Sequence, residues 1–265
     1  MKGDLEGVPH DFPPVELLLA LVGGNPPVAL GSAVWVAPGV ALTASHVIEE
    51  YWKQFGEVDE WRASKAATFP IQAIQYLPHE KQFVTWHVFF AAHRDGLDIC
   101  LLQLTPEEGH YPTDHVWAYP TLDRRPVVKG TPVQAFGFPK SDVVFDTSTN
   151  GWVLQHALGG SVGEVTDVFA EGRDRAKKPF PCFEMNIEIR GGMSGGPVVN
   201  LDGNICGVVS TGWVFAEPGP HSSGASILDP ALGLPLIATG NLGGEGERLT
   251  LGDLHQRGYL ITVGP

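Results

Sequence analysis

Three short segments hold residue types that together could hydrolyse an amide. That reaction needs a nucleophile made reactive near neutral pH, a base to take its proton, and dipoles aimed where an oxyanion will form. The first segment is Arg190-Gly191-Gly192-Met193-Ser194-Gly195-Gly196-Pro197-Val198. Glycines on both sides of Ser194 let the backbone turn sharply, so that the amide hydrogens of Gly192 and Ser194 can point at one oxygen while the hydroxyl stays accessible. The second is Val40-Ala41-Leu42-Thr43-Ala44-Ser45-His46-Val47, in which an apolar strand ends and a short helix begins directly after the histidine, placing His46 at a rigid edge as general base. The third is Asp95-Gly96-Leu97-Asp98-Ile99-Cys100-Leu101-Leu102. An aspartate at the mouth of an apolar strand is costly to bury unless hydrogen-bonded, and an imidazole N–H is a suitable donor. Asp98 abuts the strand and is the expected orienting carboxylate, whereas Asp95 reads as a turn residue.

The elements that must position these groups read as strands. Apolar, β-branched and aromatic runs bounded by turn residues recur at Leu17 to Val22, Val28 to Val36, Val40 to Thr43, Gln82 to Ala91 and Ile99 to Leu104, with one short helix over Val47 to Phe55. From Thr105 to Gly130 the prolines Pro106, Pro112, Pro120 and Pro126 interrupt any period, which marks a linker. A second series follows at Pro132 to Phe138, Gly151 to Leu158, Gly163 to Phe169, Phe180 to Ile189, Val198 to Asn200, Ile205 to Thr211 and Ala225 to Leu228, with Asp202-Gly203 as a hairpin turn. The leucines at 249, 251 and 254, followed by Gly258, predict a terminal helix packing on a barrel. Two strand series, one linker and no interleaved helices describe an all-β chain and exclude a βαβ arrangement. The predicted division is an extension over 1–14, a first barrel over 15–115 with His46 and Asp98, and a linker over 116–130. A second barrel over 131–240 carries Ser194 and the specificity pocket, and a helix and tail occupy 241–265.

Composition narrows the function classes. The 265 residues are 43% hydrophobic and 18% charged, enough for a substantial core. The formal charge of -13, with no dense basic stripe, argues against a nucleic-acid partner. The richest basic stretch, Arg173, Arg175, Lys177 and Lys178, reads as a solvated hairpin tip. Cys100, Cys182 and Cys206 are an odd number without metal-like spacing, two of them inside apolar runs, and read as buried free thiols. The ten histidines do not fall at ligand spacings, so no metal and no cofactor are expected. The N-terminus lacks an apolar leader and no run approaches a membrane span, so a cytoplasmic protein with no membrane contact is expected.

Leu42-Thr43-Ala44-Ser45-His46, then Asp98-Ile99-Cys100-Leu101-Leu102, then Gly192-Met193-Ser194-Gly195-Gly196-Pro197 resemble, in order and spacing, the trypsin-like serine peptidase superfamily. The similarity extends from about Val15 to Pro230, taking in Gly31-Ser32-Ala33 and Gly137-Phe138-Pro139. It is closest to the bacterial, disulfide-free branch that includes the high-temperature-requirement proteases. The resemblance implies two six-stranded antiparallel Greek-key β-barrels with a short C-terminal helix, and a serine endopeptidase acting on a protein or peptide substrate. It also implies that Ser210 hydrogen-bonds the triad aspartate, that the strand carrying Ser210, Thr211 and Gly212 pairs with the substrate backbone, and that Gly212 and Gly224 line the pocket for the residue before the scissile bond. Glu188 lies six residues before Ser194, the family's usual pocket base. Alternation along Phe183 to Ile189 puts it on the face away from the core, where a carboxylate would favour Arg or Lys. Met193 stands where digestive members carry an aspartate that pairs with a freshly cut N-terminus, so activation of that kind is not expected. The stretch after the second barrel is too short for the peptide-binding domain of many high-temperature-requirement relatives. Regulation is therefore expected from a partner protein or from substrate-induced ordering of the Gly191-Gly192 loop.

Two rival readings are weighed on the same residues. Gly192-Met193-Ser194-Gly195-Gly196 also matches the nucleophile elbow of α/β-hydrolases, but those need interleaved helices and an acid and histidine after the serine, and the later histidines here are only His221 and His255. The other rival is a catalytically silent double-barrel protein-binding subunit.

Overall fold

The computed structural model describes residues 17–55, 66–67, 71–107, 117–139, 141–148, 150–155, 157–174, 178–213, 222–239, 242, 244 and 246–264. The first half contains β1 (Leu18–Gly23), β2 (Val28–Ala37), β3 (Val40–Thr43), helix α1 (Ser45–Phe55), β4 (Ala66–Ala67), β5 (Ile71–Leu77), β6 (Gln82–Ala92) and β7 (Cys100–Pro106). Strands β6-β5-β1-β2-β3-β7 pair in that order and β7 closes on β6, making a six-stranded antiparallel barrel with β4 added at the outside of β6.

The second half contains β8 (Leu122–Asp123), β9 (Pro132–Gly137), β10 (Asp142–Asp146), β11 (Gly151–Gln155), β12 (Gly159–Phe169), β13 (Cys182–Met185), β14 (Pro197–Asn200), β15 (Ile205–Trp213) and β16 (Ser222–Ile227). After a 3-10 turn over Asp229–Gly233 come β17 (Pro235–Ile237), β18 (Arg248–Thr250), helix α2 (Leu251–Gln256) and β19 (Thr262–Val263). Here β14-β9-β12-β13-β16-β15 closes through β14–β15 pairing. Taken in chain order within each barrel, the six strands follow one connectivity, three consecutive neighbours and then a return beside the first, so both halves are Greek keys of the same design.

The strands form where burial demands them. β1, β3 and most of β7 are buried on both faces, because one face fills the barrel and the other is covered by neighbouring elements. α1 lays Val47, Ile48 and Tyr51 into the same core. The C-terminal segment covers the first barrel. Leu234, Leu236, Leu249, Leu251 and Leu254 join its core, and the buried Gln103 amide on β7 exchanges two hydrogen bonds with the Ile237 backbone (2.7 and 2.8 Å). α2 is entered through a reciprocal cap, Thr250 accepting from Asp253 N at 3.2 Å while the Asp253 carboxylate accepts from Thr250 N at 2.7 Å.

Several expectations change. The strands expected over Gly151 to Leu158 and Gly163 to Phe169 are both present with shifted bounds, the first ending at Gln155 as β11, which pairs with β10 in a separate ribbon, and the second starting at Gly159 as β12, which enters the barrel. The expected strand over Phe180 to Ile189 is regular only over Cys182–Met185, although its burial alternates through Ile189. The basic stretch is not a solvated tip at Lys178. That side chain is 1% exposed, with Nζ 3.6 Å from Glu184, while Arg173 holds the same carboxylate at 2.6 Å; Arg175 and Lys177 lie outside the described residues, as does the extension over 1–14. The linker also contributes structure, since Leu122 pairs in parallel with both Ile205 and Thr262.

Candidate active site

The site lies where the two barrels meet, and the position of each group follows from a local feature of its own element. β3 ends at Thr43 and α1 begins two residues later, so His46 sits in the first helical turn with its backbone N–H still unpaired within the helix. That N–H donates to Asp98 Oδ1 at 3.0 Å, and His46 Nδ1 lies 2.9 Å from Oδ2 and 3.1 Å from Oδ1 of the same carboxylate. Asp98 is buried two residues before β7, while Asp95 is exposed in a turn with Gly96 at φ +74°. Asp98 faces the positive end of α1, a favourable place for a carboxylate.

Ser210 joins the halves. The β15–β16 register slips between Val209 and Thr211, which makes Ser210 the extra residue of a β-bulge, and a bulge re-aims its side chain. Its buried hydroxyl donates to Asp98 Oδ2, and its carbonyl accepts from Ser194 Oγ at 3.3 Å. Ser226 Oγ adds a hydrogen bond to the Asp98 carbonyl at 3.2 Å. The carboxylate is therefore held by the first barrel and the second together.

The Ser194 loop is equally determined. Met193 N donates to the Arg190 carbonyl at 3.1 Å with Gly192 at φ +94°, the geometry of a type II turn, whose third residue needs positive φ. Gly195, at φ +87°, has no room for a side chain: a Cβ would stand 2.1 Å from the Ser32 carbonyl and 2.2 Å from Thr43 Oγ1. Gly195 N donates to the Val209 carbonyl and Val209 N to the Gly196 carbonyl, each at 2.8 Å, fastening the loop to β15. The amides of Gly192 and Ser194, which flank the engaged Met193 amide, donate to no acceptor among the described residues. Both donors are uncommitted in this conformation of the loop.

The electrostatics suit a base. Burial is the largest influence on His46 and lowers its pKa, but the Asp98 charge and hydrogen bond, helped by Glu49, together outweigh it, and the net pKa is raised above the ordinary 6.5. The His46 side chain remains 38% exposed. Burial pushes the Cys206 thiol up to about 12 and raises Cys100 and Cys182 too, so these unpaired cysteines are not nucleophiles. Among the described residues no group of three His, Cys, Asp or Glu is placed to hold a metal ion, and no helix is long and apolar enough to cross a membrane.

The structure brings His46, Asp98, Ser194 and Ser210 together and places Gly224 on β16 opposite Glu184 and Thr211. Of Thr211 and Gly212 only the backbone register is described, opposite Gly224 and Ser223. Glu188 is exposed and ion-paired with Arg190 at 3.1 and 3.3 Å, its charge matched by its neighbour's. The residue that reasoning from sequence passes over is Ser32, which contacts the Ser194 loop from β2. A small polar residue inside an otherwise apolar, fully buried strand segment was the available signal.

A sequence model of the trypsin-like peptidase domain matches residues 31–208. Among solved structures, the fold is shared with the HtrA-type protease AlgW with tripeptide (TM-score 0.52, 17% identity, 82% of this chain and 58% of that one). It is shared with the active form of the Rv3671c protease from M. tuberculosis (0.51, 13%, 81% and 79%) and the MamO protease domain from Magnetospirillum magneticum (0.50, 14%, 83% and 95%). At these identities the structural likeness concerns the fold alone, and no curated protein matches the chain. The match to the domain covers well over half of the 265 residues, and the chain belongs to the trypsin-like peptidase family.

Proposed function

We propose that the chain is a serine endopeptidase that hydrolyses peptide bonds through Ser194, His46 and Asp98 and an acyl-enzyme intermediate. The observation that carries this reading is the continuous arrangement around Ser210, whose hydroxyl holds Asp98 and whose carbonyl receives Ser194 Oγ, beside two uncommitted amides. Ser194 Oγ attacks the peptide carbonyl while His46 Nε2 takes its proton. The carbonyl oxygen becomes an oxyanion facing the Gly192 and Ser194 amides. Collapse expels the amine, protonated by His46, and leaves an ester on Ser194. Water, deprotonated by His46, then attacks the ester and releases the carboxylate product and the serine. Asp98 keeps the proton on His46 Nδ1 so that Nε2 is free to accept. The backbone of β15 from Ser210 to Gly212 would pair with an extended substrate, and Gly212 and Gly224 would leave the adjoining pocket open. With Glu188 matched by Arg190, a strong preference for basic residues has no support in the geometry.

The direction of Ser194 Oγ, toward Ser210 O instead of His46, is the one feature that favours a catalytically silent binding subunit. A rotation about χ1 converts one arrangement to the other, and such rotations are fast. A fluorophosphonate probe decides the matter: covalent labelling of the wild type, abolished together with peptide hydrolysis in Ser194→Ala, is the expected result. A wild type that neither labels nor cleaves a peptide library supports the silent subunit.

A further inference from the structure

All the polar atoms of Ser32, a fully buried residue on β2 of the first barrel, are engaged at the second barrel's catalytic loop or beside it. Its N–H donates to the Ser194 carbonyl at 2.8 Å, and its carbonyl accepts from Thr43 Oγ1 at 2.7 Å. Its hydroxyl donates to the Gly192 carbonyl at 2.7 Å and accepts from Phe138 N at 2.9 Å. We infer that Ser32 is a positioning residue for the oxyanion hole, its hydroxyl holding the peptide unit that separates the two donor amides; the inference rests on the peptidase reading above.

The case is one of counting peptide planes. The plane joining Gly192 to Met193 carries the Gly192 C=O, which takes the Ser32 hydroxyl, and the Met193 N–H, which donates to Arg190 O. It is pinned at both ends. The plane before it carries the Gly192 N–H and the plane after it the Ser194 N–H, the two amides left without acceptors among the described residues. The plane after it has its own C=O tied, Met193 O accepting from Gly196 N at 3.0 Å. For the Gly192 side the Ser32 hydroxyl is the tether that fixes the angle of its donor. Glycine at 192 and 191 imposes little of its own preference, so without the tether this half of the turn can rotate.

The surroundings make the hydroxyl hard to replace. Gly137 packs so closely that a Cβ there would stand 2.7 Å from Met193 Cα and 2.9 Å from Ser32 Oγ. The space vacated by one hydroxyl oxygen is smaller than a water needs, so in Ser32→Ala the Gly192 carbonyl and Phe138 amide lose a buried partner together. The carbonyl can regain one only by turning, and that turn carries the Gly192 N–H off its aim. Misplacement of a catalytic dipole by about 1 Å costs on the order of a hundredfold in rate.

The test is Ser32→Ala, with active sites counted by fluorophosphonate titration so that loss of folded protein does not enter the rates. We expect kcat per titrated site to fall about 10- to 100-fold with KM within about threefold. A peptide aldehyde, whose adduct with Ser194 carries the oxyanion, should weaken by the same factor as kcat, and the cleavage-product peptide by less than threefold. A purely structural role would lower the melting temperature and leave kcat per site unchanged. Turnover per site within twofold of wild type, or equal weakening of aldehyde and product, overturns the inference while leaving the peptidase reading intact. A wild type that neither labels nor hydrolyses overturns both. If Ser32→Ala does not fold, Ser32→Cys, whose thiol is a weak donor, carries the same measurement: a loss of at least fivefold in kcat supports the inference and turnover within twofold overturns it.

Discussion

Asp98→Asn tests the geometry of the site most sharply, because the structure dictates which way the new amide must face. Three donors converge on the carboxylate: His46 N–H on Oδ1, the imidazole Nδ1 on both oxygens, and the Ser210 hydroxyl on Oδ2. An asparagine offers one acceptor oxygen and one NH2. An NH2 in place of Oδ1 would oppose the His46 backbone N–H, which cannot reverse its role, whereas in place of Oδ2 it meets a hydroxyl that can accept and a ring nitrogen that can change tautomer. The amide therefore enters with nitrogen toward Nδ1, and the imidazole proton moves to Nε2, the atom that must take the proton from Ser194. The expected loss is on the order of 10⁴-fold in kcat at neutral pH, about 5.5 kcal/mol of transition-state stabilisation at 1.36 kcal/mol per decade. Titration adds a second readout. In the wild type the raised His46 pKa puts the acid limb of kcat/KM above 6.5; removing the Asp98 charge leaves burial as the main influence, so the limb moves down. The sign for stability follows from linkage. A pKa raised in the folded state contributes stability that is complete below the ordinary 6.5 and is lost as pH rises through the folded value, so the stability gap between wild type and variant is wider at pH 5 than at pH 9. Steady-state kinetics on titrated enzyme and urea midpoints at the two pH values measure these effects. A kcat within tenfold of wild type, or an acid limb that stays in place, refutes the assignment of Asp98.

Gly195→Ala should not yield an active enzyme: its Cβ would lie 2.1 Å from the Ser32 carbonyl at a φ of +87°, and displacement of β2 or the loop is unavoidable. A destabilisation above about 3 kcal/mol by urea denaturation, or no soluble protein, is expected, and wild-type stability would refute the close packing. Glu188→Gln should alter the ratio of kcat/KM for Arg against Ala at the residue before the cut by less than threefold, since the exposed Arg190 pair already balances that charge. A tenfold fall in that ratio from peptide-library profiling would return Glu188 to the pocket.

Much of this architecture was legible in the chain because burial writes a period into it. β1, β2, β3, β6 and β7 show as apolar runs between turn residues, and the three glycine- or strand-bounded segments around Ser194, His46 and Asp98 announce their chemistry through residue type. Where the pattern failed, the cause is physical. β5 alternates in space, with Ile71, Ala73, Gln75 and Leu77 inward, but the inward Gln75 is polar, its oxygen accepting from Trp86 Nε1 at 2.8 Å, while Ile74 and Tyr76 point out. β10 belongs to an exposed ribbon, with Phe145 and Trp152 about half exposed, and carries no burial signature. Lys178 reads as a surface cation until Glu184 is brought to it from β13.

The amino-acid sequence by itself determined which residues could act, since a nucleophile, a base and an orienting carboxylate are chosen by functional group, and determined that strands would carry them, since alternation needs only near neighbours. Tertiary structure alone decided how they act together. The Ser210 bulge, the closeness of Gly195 to β2 and the pinning of the Gly192–Met193 plane by Ser32 all depend on three-dimensional approach. A hydrogen bond of 2.7 Å between residues 160 positions apart has no trace in local periodicity, because it exists only once both barrels have closed and met.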